Sequence, residues 1–178
     1  MTPIYTERLT IRNFHSKDWM DLFEYRSTPE ICRFQGYEPY SAERCQQFAE
    51  AQSQTEFGEP GKWAQLAIEL TSEKKLIADI GLKPEYFDTR LVEFGISLSH
   101  LYQRSGYAQE ALNAVLDYLF TQHHVHRVTG ITDQENESCI RLLEQVGFRK
   151  EGTTRQSFWN NNMWRDEYLF AMLKNDFS

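Results

Sequence analysis

The sequence predicts an α/β or α+β fold in which helices flank a largely antiparallel β-sheet. Several short segments alternate apolar and polar residues, as half-buried strands do. Longer segments between them repeat apolar residues at helical spacing, and the two kinds of segment are interleaved along the chain. Near the C-terminus, the turn Asn160-Asn161-Asn162 predicts a closing hairpin. These features are typical of a sheet with one or two crossover helices.

The N-terminal part of the chain predicts a strand followed by two helices. Residues 9–12 alternate as a strand does, and Ser16 is a helix-capping residue that predicts a helix over 16–25. A second helix is expected from Ser41 toward Phe57, where the sequence Gly-Glu-Pro-Gly ends it. Both helices therefore precede most of the sheet.

The middle of the chain predicts an antiparallel meander and then a helix. Three strand patterns, at 63–70, 76–83 and 91–98, are separated by short polar segments. The apolar period then changes, so a long helix is expected over 106–123.

The C-terminal part predicts another strand, another helix and a hairpin. A strand pattern over 125–132 is followed by a helix that Gly147 ends. Two strand patterns, 148–158 and 164–173, then surround the three-asparagine turn. In order, the chain is predicted to form a strand, helices, three strands, a helix, a strand, a helix and a hairpin.

Composition predicts one domain over residues 1–178 in a reduced, cytoplasmic setting. The 178 residues can bury a core, and no repeat or linker divides them. No apolar stretch approaches the roughly 20 residues that span a bilayer, and the N-terminus does not resemble a secretory signal. Three cysteines without Cys-x-x-Cys spacing, and histidines that diverge across a helix end, argue against disulfides and a metal site. The net charge of −7 disfavours a nucleic-acid partner, because phosphate binding needs clustered Lys and Arg.

The most informative segment passes from a predicted strand through a turn into the N-terminus of a long helix. First-turn N–H groups and the positive end of the helix dipole favour an anion such as a pyrophosphate. Gly106 permits close backbone approach, Ala108 is small, and Arg104 adds a positive charge. A plain turn is the alternative for a single glycine before a helix, so the surrounding sequence has to distinguish the two.

The loop resembles the coenzyme A loop of the GNAT superfamily of N-acetyltransferases. That loop has the pattern Q/R-x-x-G-x-G/A, and this chain has Gln103-Arg104-Ser105-Gly106-Tyr107-Ala108. Four more segments are similar, in order, to the RimJ/RimL-like group of ribosomal-protein N-terminal acetyltransferases and their relatives. These are TERLTIR from Thr6, EFGISL from Glu93, NESCIRLLEQVGF from Asn136 and DEYLFAML from Asp166. The resemblance covers nearly the whole chain and implies a GNAT-type sheet that splays after its fourth strand.

The resemblance also implies acetyl-CoA as a co-substrate and assigns residues to it. Backbone groups of Ile96 and Leu98 would pair with the pantetheine arm, and Asn136 would bind the arm from the opposite side, as well as or instead of capping a helix. A splayed sheet leaves strand-edge N–H and C=O groups that suit the two amides of pantetheine. The pyrophosphate would be held by Gln103, Arg104, Ser105, Gly106, Tyr107, Ala108 and Gln109.

Acetyl transfer to an amine needs a neutral amine, a stabilised oxyanion and a proton for the leaving thiolate. Glu93 on the fourth strand is the first candidate for removing the amine proton, directly or through a water, with Asp79 as the weaker candidate. A solvent-facing Glu93 is the alternative. A backbone N–H near Leu98 would polarise the thioester carbonyl.

Cys139 is the candidate donor of the last proton and the main departure from the family pattern, which usually has Ser three residues after the Asn. A thiol with an ordinary pKa near about 8.5 can protonate a departing thiolate. The alternative is a small core residue on the apolar face of a helix. The tyrosine of many other GNAT enzymes is replaced by Leu143.

The resemblance implies a protein N-terminal α-amine, such as that of a ribosomal protein, as the acceptor. Phe158 stands where some ribosomal-protein acetyltransferases place a Glu, so a small-molecule amine (polyamine, amino acid or aminoglycoside) is an alternative. A non-catalytic acyl-CoA-binding module is a third possibility. Either a monomer or a homodimer is compatible with the sequence. Five aromatic residues either wall an acceptor pocket or belong to the core: Tyr37, Tyr40, Phe158, Trp159 and Trp164.

Overall fold

An eight-stranded sheet forms the centre of the molecule in a computed structural model that describes residues 1–177. Its strands are β1 (Ile4–Tyr5), β2 (Leu9–Asn13), β3 (Ala64–Leu70), β4 (Lys75–Pro84), β5 (Leu91–Leu98), β6 (Arg127–Asp133), β7 (Arg149–Asn160) and β8 (Met163–Leu173). They lie in the order β1-β2-β3-β4-β5-β6-β8-β7. Every neighbouring pair is antiparallel except β5 and β6, which are parallel. The predicted mostly antiparallel sheet is therefore confirmed.

Helices lie against both faces of this sheet. They are α1 (Trp19–Arg26), α2 (Pro29–Cys32), α3 (Ala42–Ser53), α4 (Tyr107–Gln122) and α5 (Glu137–Val146). Leu66 and Ile68 of β3 belong to the core that α4 covers, whereas Ala67 belongs to the core under α1 and α3. Because successive strand residues point to opposite faces, the two sets of helices lie on opposite sides. Among residues 1–177, no helix is both long and apolar enough to span a membrane.

The N-terminal elements begin and end at other residues than the sequence predicts. Ser16 begins a single 3₁₀ turn rather than capping α1. At the start of this turn, the Asp18 carboxylate accepts a hydrogen bond from the His15 backbone N–H at 2.8 Å. Helix α3 begins after Ser41 as expected but ends at Ser53. Strand β1 and helix α2 were not predicted, because two and four residues are too few to establish a period.

Strands β5 and β6 separate partway along their length. Their pairing ends at Phe94 and Gly130. A Cβ on Gly130 would lie 2.8 Å from the Phe94 ring, so the ring packs directly on the Gly130 backbone at this point. Beyond it, β5 continues along β4 and β6 continues along β8. The sheet therefore splays in β5, which is the fourth strand when the two-residue β1 is left out, as expected.

Candidate active site

The gap between β5 and β6 opens into a cleft of about 1040 Å³. Its lining includes Glu93, Ile96, Leu98, Gln103, Arg104, Gly106, Tyr107, Ala108, Gln109, Asn136 and Cys139. These are all the residues predicted to bind a cofactor or to take part in catalysis, except Ser105. The Ser105 carbonyl instead accepts a hydrogen bond from Arg8 Nη1 at 2.9 Å. The structure thus places residues from three separate segments around one cavity.

The loop before α4 presents free backbone donors to this cleft. Gly106 is the N-cap residue of α4, and no side chain caps the helix there. The N–H groups of a first helical turn have no partner within the helix, so those of Tyr107, Ala108 and Gln109 remain available. All three residues line the cleft, and Arg104 lies beside them. Free N–H groups at the positive end of a 16-residue helix, next to a guanidinium, form an environment that favours a phosphate anion.

Within residues 1–177, the edge of β5 that faces β6 pairs with no strand beyond the splay, while its other edge remains paired with β4. The Ile96 carbonyl accepts from the Gln35 side-chain amide, and the Leu98 carbonyl accepts from the Gln103 side-chain amide, both at 3.3 Å. Val92 lies an even number of residues before Ile96 and Leu98, so its carbonyl points to the same side of β5. It accepts a hydrogen bond from the Thr129 hydroxyl of β6. The carbonyls of Ile96 and Leu98 therefore point into the gap that β6 has left. Such an edge can bind the amides of an extended ligand as an added strand would.

The N-terminus of α5 forms the facing wall of the cleft. The Asn136 side-chain oxygen accepts the backbone N–H of Cys139 at 3.2 Å, so Asn136 caps α5 and also lines the cleft. The Asn136 amide NH₂ is not used by this cap. Leu143, one turn further along α5, is buried in the core.

The Cys139 thiol lies beside Thr132 of β6. Burial raises the pKa of Cys139, and the neighbouring Thr132 hydroxyl lowers it only in part. Thr132 is itself buried, and its hydroxyl has no hydrogen-bond partner of normal geometry within residues 1–177. A thiol in this setting remains protonated at neutral pH, which a proton donor requires.

Glu93 faces the cleft rather than bulk solvent. Its side chain is 23% exposed and forms an ion pair with Lys83 Nζ at 2.6 Å, directly across on β4. Lys83 in turn lies 5.1 Å from the centre of the Trp63 ring. The Glu93 carboxylate is thus accessible from the cleft, while Lys83 of β4 holds it from one side.

Asp79 also lines the cleft, but its carboxylate is occupied. Only 1% of the residue is exposed. It accepts a hydrogen bond from the Tyr25 hydroxyl at 2.6 Å and pairs with Arg26 Nη2 at 2.5 Å. Burial, together with the charge of Asp79, raises the pKa of Tyr25, so that hydroxyl keeps its proton. Asp79 therefore acts as the structural partner of Arg26, which makes it a poor acceptor for a substrate proton.

The far end of the cleft is closed by aromatic residues and the β7–β8 hairpin. Tyr37, Tyr40 and Phe158 line it. Tyr40 also belongs to the buried core, and Tyr37 packs against that core, so both interpretations of the sequence apply to these two residues. Trp159 and Trp164 do not: they pack on each other at the hairpin tip, with ring centres 5.3 Å apart, and both are exposed. Trp159 and Trp164 lie directly opposite each other in the β7–β8 hairpin, so they pack on each other instead of lining the cleft.

Two residues at this end of the cleft, Arg26 and Gln35, have no signal in the sequence. Arg26 is buried among the rings of Tyr37, Tyr40 and Phe48, and Gln35 bonds to the β5 edge. Both come from elements more than 50 residues before β5, and no motif marks them. The Arg26 guanidinium, stacked on three rings, has the cation–π geometry that only the folded chain reveals.

Comparisons with known proteins agree on one family. A family model described as an acetyltransferase (GNAT) domain matches residues 8–149. The uncharacterised N-acetyltransferase YnaD of Bacillus subtilis is 30% identical over 175 residues, which cover 98% of this chain and 99% of that protein. The crystal structure of a GNAT-family acetyltransferase from Bacillus anthracis superimposes with a TM-score of 0.88 and 29% identity, over 98% of this chain and 99% of that one.

Two further relatives have names that state an acceptor. The spermidine N(1)-acetyltransferase of Vibrio cholerae is 28% identical over 106 residues, which cover 60% of this chain and 61% of that protein. The ribosomal protein uS5-alanine N-acetyltransferase of Escherichia coli is 31% identical over 84 residues, which cover 47% of this chain and 43% of that protein. The two relatives act on different amines, and each resembles only part of this chain.

Proposed function

The chain belongs to the GNAT acetyltransferase family and is an acetyl-CoA-dependent N-acetyltransferase, and we propose that its acceptor is the α-amine at the N-terminus of a protein. The uS5-alanine relative supports an acceptor of this class. The ion pairs of the two candidate bases, Glu93 with Lys83 and Asp79 with Arg26, favour an α-amine over more basic amines.

The residues of the cleft fit acetyl-CoA. The uncapped first turn of α4, with Arg104 beside it, suits the pyrophosphate, and the free edge at Ile96 and Leu98 suits the pantetheine amides. Asn136 has a free amide NH₂ on the opposite wall. When bound there, acetyl-CoA supplies an acetyl group activated as a thioester.

We assign the proton transfers to Glu93 and Cys139. Glu93 takes the amine proton, directly or through a water, and Cys139 gives a proton to the departing sulfur of CoA. A backbone N–H near Leu98 stabilises the negative charge that develops on the acyl oxygen. No enzyme nucleophile is needed, because the amine attacks the thioester itself.

The ion pairs of the cleft favour a weakly basic acceptor. Glu93 is paired with Lys83 and Asp79 with Arg26, so each carboxylate already has a cationic partner that competes with a substrate proton. A protein α-amine has a pKa of about 7.7–8.0, whereas a lysine-type amine has one of about 10.4. At pH 7 the neutral fraction of the α-amine is therefore larger by roughly two orders of magnitude. The choice of an α-amine as the acceptor depends on these two ion pairs.

A direct test uses two matched peptides and one polyamine. The first peptide has a free N-terminus and no lysine, the second has a blocked N-terminus and one lysine, and the polyamine is spermidine. We expect amine-dependent release of CoA only with the free N-terminus, and mass spectrometry should locate the acetyl group on the first residue. Acetylation of the blocked peptide at its lysine would contradict the proposal.

A polyamine is the second candidate. Five carboxylates line the cleft, and a polycationic acceptor would be attracted to those that are not paired with an arginine. Asp79 and Asp133 are paired with Arg26 and Arg165, which leaves Glu30, Glu93 and Glu167. The spermidine-acetylating relative supports the same class. Turnover of spermidine without turnover of the free N-terminal peptide would establish this candidate instead.

A further inference from the structure

The side chain of Arg8 supports the coenzyme A loop from outside the cleft. Arg8 lies in the turn between β1 and β2, and it is not part of the cleft lining. Its Nη1 donates to the Ser105 carbonyl at 2.9 Å, and its guanidinium lies 4.4 Å from the centre of the Tyr107 ring. A Cβ on Gly106 would approach Arg8 Nη2 to 3.3 Å, so the guanidinium lies directly behind this glycine. Arg8 thus touches three consecutive residues of the loop.

Glu110, in the first turn of α4, fixes Arg8 in this position. Arg8 Nε and Nη2 both lie 2.7 Å from Glu110 Oε2, and the Arg8 backbone N–H donates to Glu110 Oε1 at 2.9 Å. The Thr6 hydroxyl donates to the same Oε1 at 2.6 Å and accepts the Leu9 N–H at 2.9 Å. Thr6, Arg8 and Glu110 therefore form a closed network that joins the N-terminal turn to α4. We call this network the Arg8 clamp.

The loop needs such support because its backbone is strained. Arg104 has φ 62° and Gly106 has φ 82°, both in the left-handed region. This conformation is unfavourable for a residue with a side chain such as Arg104. Within the loop, the side-chain bonds are the long contacts from Gln103 to Leu98 at 3.3 Å and from Ser105 to Gln103 at 3.5 Å. The short bond from Arg8 to the Ser105 carbonyl holds the middle of the segment.

The Arg8 clamp also keeps the Glu110 carboxylate ionised and compensates its negative charge. A carboxylate in the first turn of α4 would repel a pyrophosphate bound at the same helix end. Partial burial raises the pKa of Glu110, but the hydrogen bonds from Thr6 and Arg8 and the charge of Arg8 together hold it below its ordinary value. Glu110 is therefore ionised at neutral pH, and Arg8 is the cation that compensates it.

We propose that Arg8 is a positioning residue for pyrophosphate binding: it holds the loop 104–107, in which Arg104 and Gly106 are left-handed, and it neutralises Glu110, without touching the cofactor. This inference rests on the proposed function only in that the loop binds CoA. It also gives a physical reason for three residues of the N-terminal TERL sequence. Thr6 closes the turn, Arg8 forms the clamp, and Leu9 is buried in the core.

The test compares Arg8→Lys, Arg8→Gln and Arg8→Gln/Glu110→Gln with the wild type. Arg90→Gln is the matched control, since Arg90 forms an exposed bidentate pair with Asp88 at the opposite end of β5. Isothermal titration with CoA gives the Kd of each variant whether or not the enzyme turns over. Turnover is then measured with acetyl-CoA and with S-acetyl-pantetheine, a thioester that lacks the pyrophosphate. Thermal unfolding by circular dichroism identifies any variant that does not fold, and Arg8→Lys is the milder substitution.

We expect Arg8→Gln to raise the Kd for CoA about tenfold, and Arg8→Lys less, because lysine keeps the charge but not the forked geometry. The double variant should recover part of the loss, since the uncompensated carboxylate is gone. The kcat/KM for S-acetyl-pantetheine should be unchanged in folded Arg8 variants, as should all values for Arg90→Gln.

Two results would overturn the inference: an unchanged Kd for CoA in the Arg8 variants, or an equal loss with S-acetyl-pantetheine and acetyl-CoA, which would indicate general damage to the site. Failure of the proposed acceptor is distinguishable from both, because it would appear in the wild type as CoA binding without acetylation of the peptide.

Discussion

Cys139 and Glu93 lie on facing walls of the cleft, and their surroundings suit opposite tasks. Burial beside Thr132 keeps the Cys139 thiol neutral, so it holds a proton that can be given away. Glu93 has Lys83 as a partner at 2.6 Å and remains open to the cleft. At the scale of single residues, one group is therefore prepared to donate a proton and the other to accept one.

Substitution of Cys139 should separate proton donation from packing. Cys139→Ala should lower kcat about 100-fold while the KM for acetyl-CoA stays nearly constant, and Cys139→Ser should retain most of the activity. Burial raises the pKa of the thiol above its ordinary value, so wild-type kcat should decline only at alkaline pH. This alkaline decline should be absent in Cys139→Ser, whose hydroxyl does not titrate. Equal activity of the Ala and wild-type proteins would show that Cys139 only packs.

Substitution of Glu93 tests the removal of the amine proton. Glu93→Gln should lower kcat/KM for the amine by about 10²-fold, because the amide cannot accept the proton. The Kd for CoA should not change, since Glu93 lies apart from the loop before α4. Glu59→Gln is the control, as Glu59 pairs with Lys62 at the surface. A rate for Glu93→Gln that matches this control would assign the role to another group.

At the scale of elements, α4 and α5 both direct their N-termini to the cleft but are capped differently. Gly106 leaves the first turn of α4 without a side-chain cap, so its N–H groups are free for an anion. Asn136 caps α5 with its oxygen and keeps its NH₂ for other contacts. The first turn is therefore left open at α4 and closed by a side chain at α5.

Variants of Asn136 can separate its two roles. Asn136→Ser should keep the cap and change the free energy of unfolding by only a few tenths of a kcal/mol, whereas Asn136→Ala should lower it by about 1 kcal/mol. Both variants should raise the KM for acetyl-CoA several-fold, because neither has the side-chain NH₂ that we assign to the pantetheine arm. Urea unfolding and initial rates measure the two quantities separately. An unchanged KM in Asn136→Ser would leave Asn136 as a cap alone.

At the scale of the whole molecule, the buried pair of Arg26 and Asp79 joins α1 to β4. Both side chains are at most 5% exposed, and the Arg26 guanidinium also packs on the rings of Tyr37, Tyr40 and Phe48. Burial raises the pKa of Tyr37, so its hydroxyl remains neutral beside this pair. The pair thus connects the layer of α1 and α3 to the sheet at the end of the cleft that Tyr37 and Tyr40 line.

Removing one member of this pair should destabilise the fold. Asp79→Asn leaves Arg26 buried without its counter-charge, which should cost about 3–5 kcal/mol in the free energy of unfolding. The matched control is Asp88→Asn, which breaks the solvent-exposed pair with Arg90 and should not change stability measurably. Urea unfolding of both variants measures the difference. Equal stability of the two variants would contradict a structural role for the Arg26 pair.

The sequence predicted those parts of the site whose residues are consecutive. Gln103 to Gln109 form one loop and helix turn, and Asn136 and Cys139 share one turn of α5, so a local motif identifies them. Arg26 and Asp79 are 53 residues apart, and Arg8 and Glu110 are 102 apart. Which charges pair over such distances depends on the sheet register and on helix packing, which no local pattern encodes.

The sheet itself was predicted well because its strands are long enough to show a period of two. The two-residue β1 and the one-turn α2 were not predicted, since neither completes a period. The pairing of Trp159 with Trp164 required the hairpin register, which the sequence indicated only as a turn.

The central claim is that this cleft binds acetyl-CoA and transfers its acetyl group to an amine. Calorimetric titration of the purified protein with acetyl-CoA, followed in the same preparation by a thiol-release assay with a free N-terminal peptide, tests it most directly. We expect one-to-one binding with a micromolar Kd and release of CoA only when the amine is present. Absence of binding would contradict the assignment of the Gly106 loop and, with it, the whole account of the site.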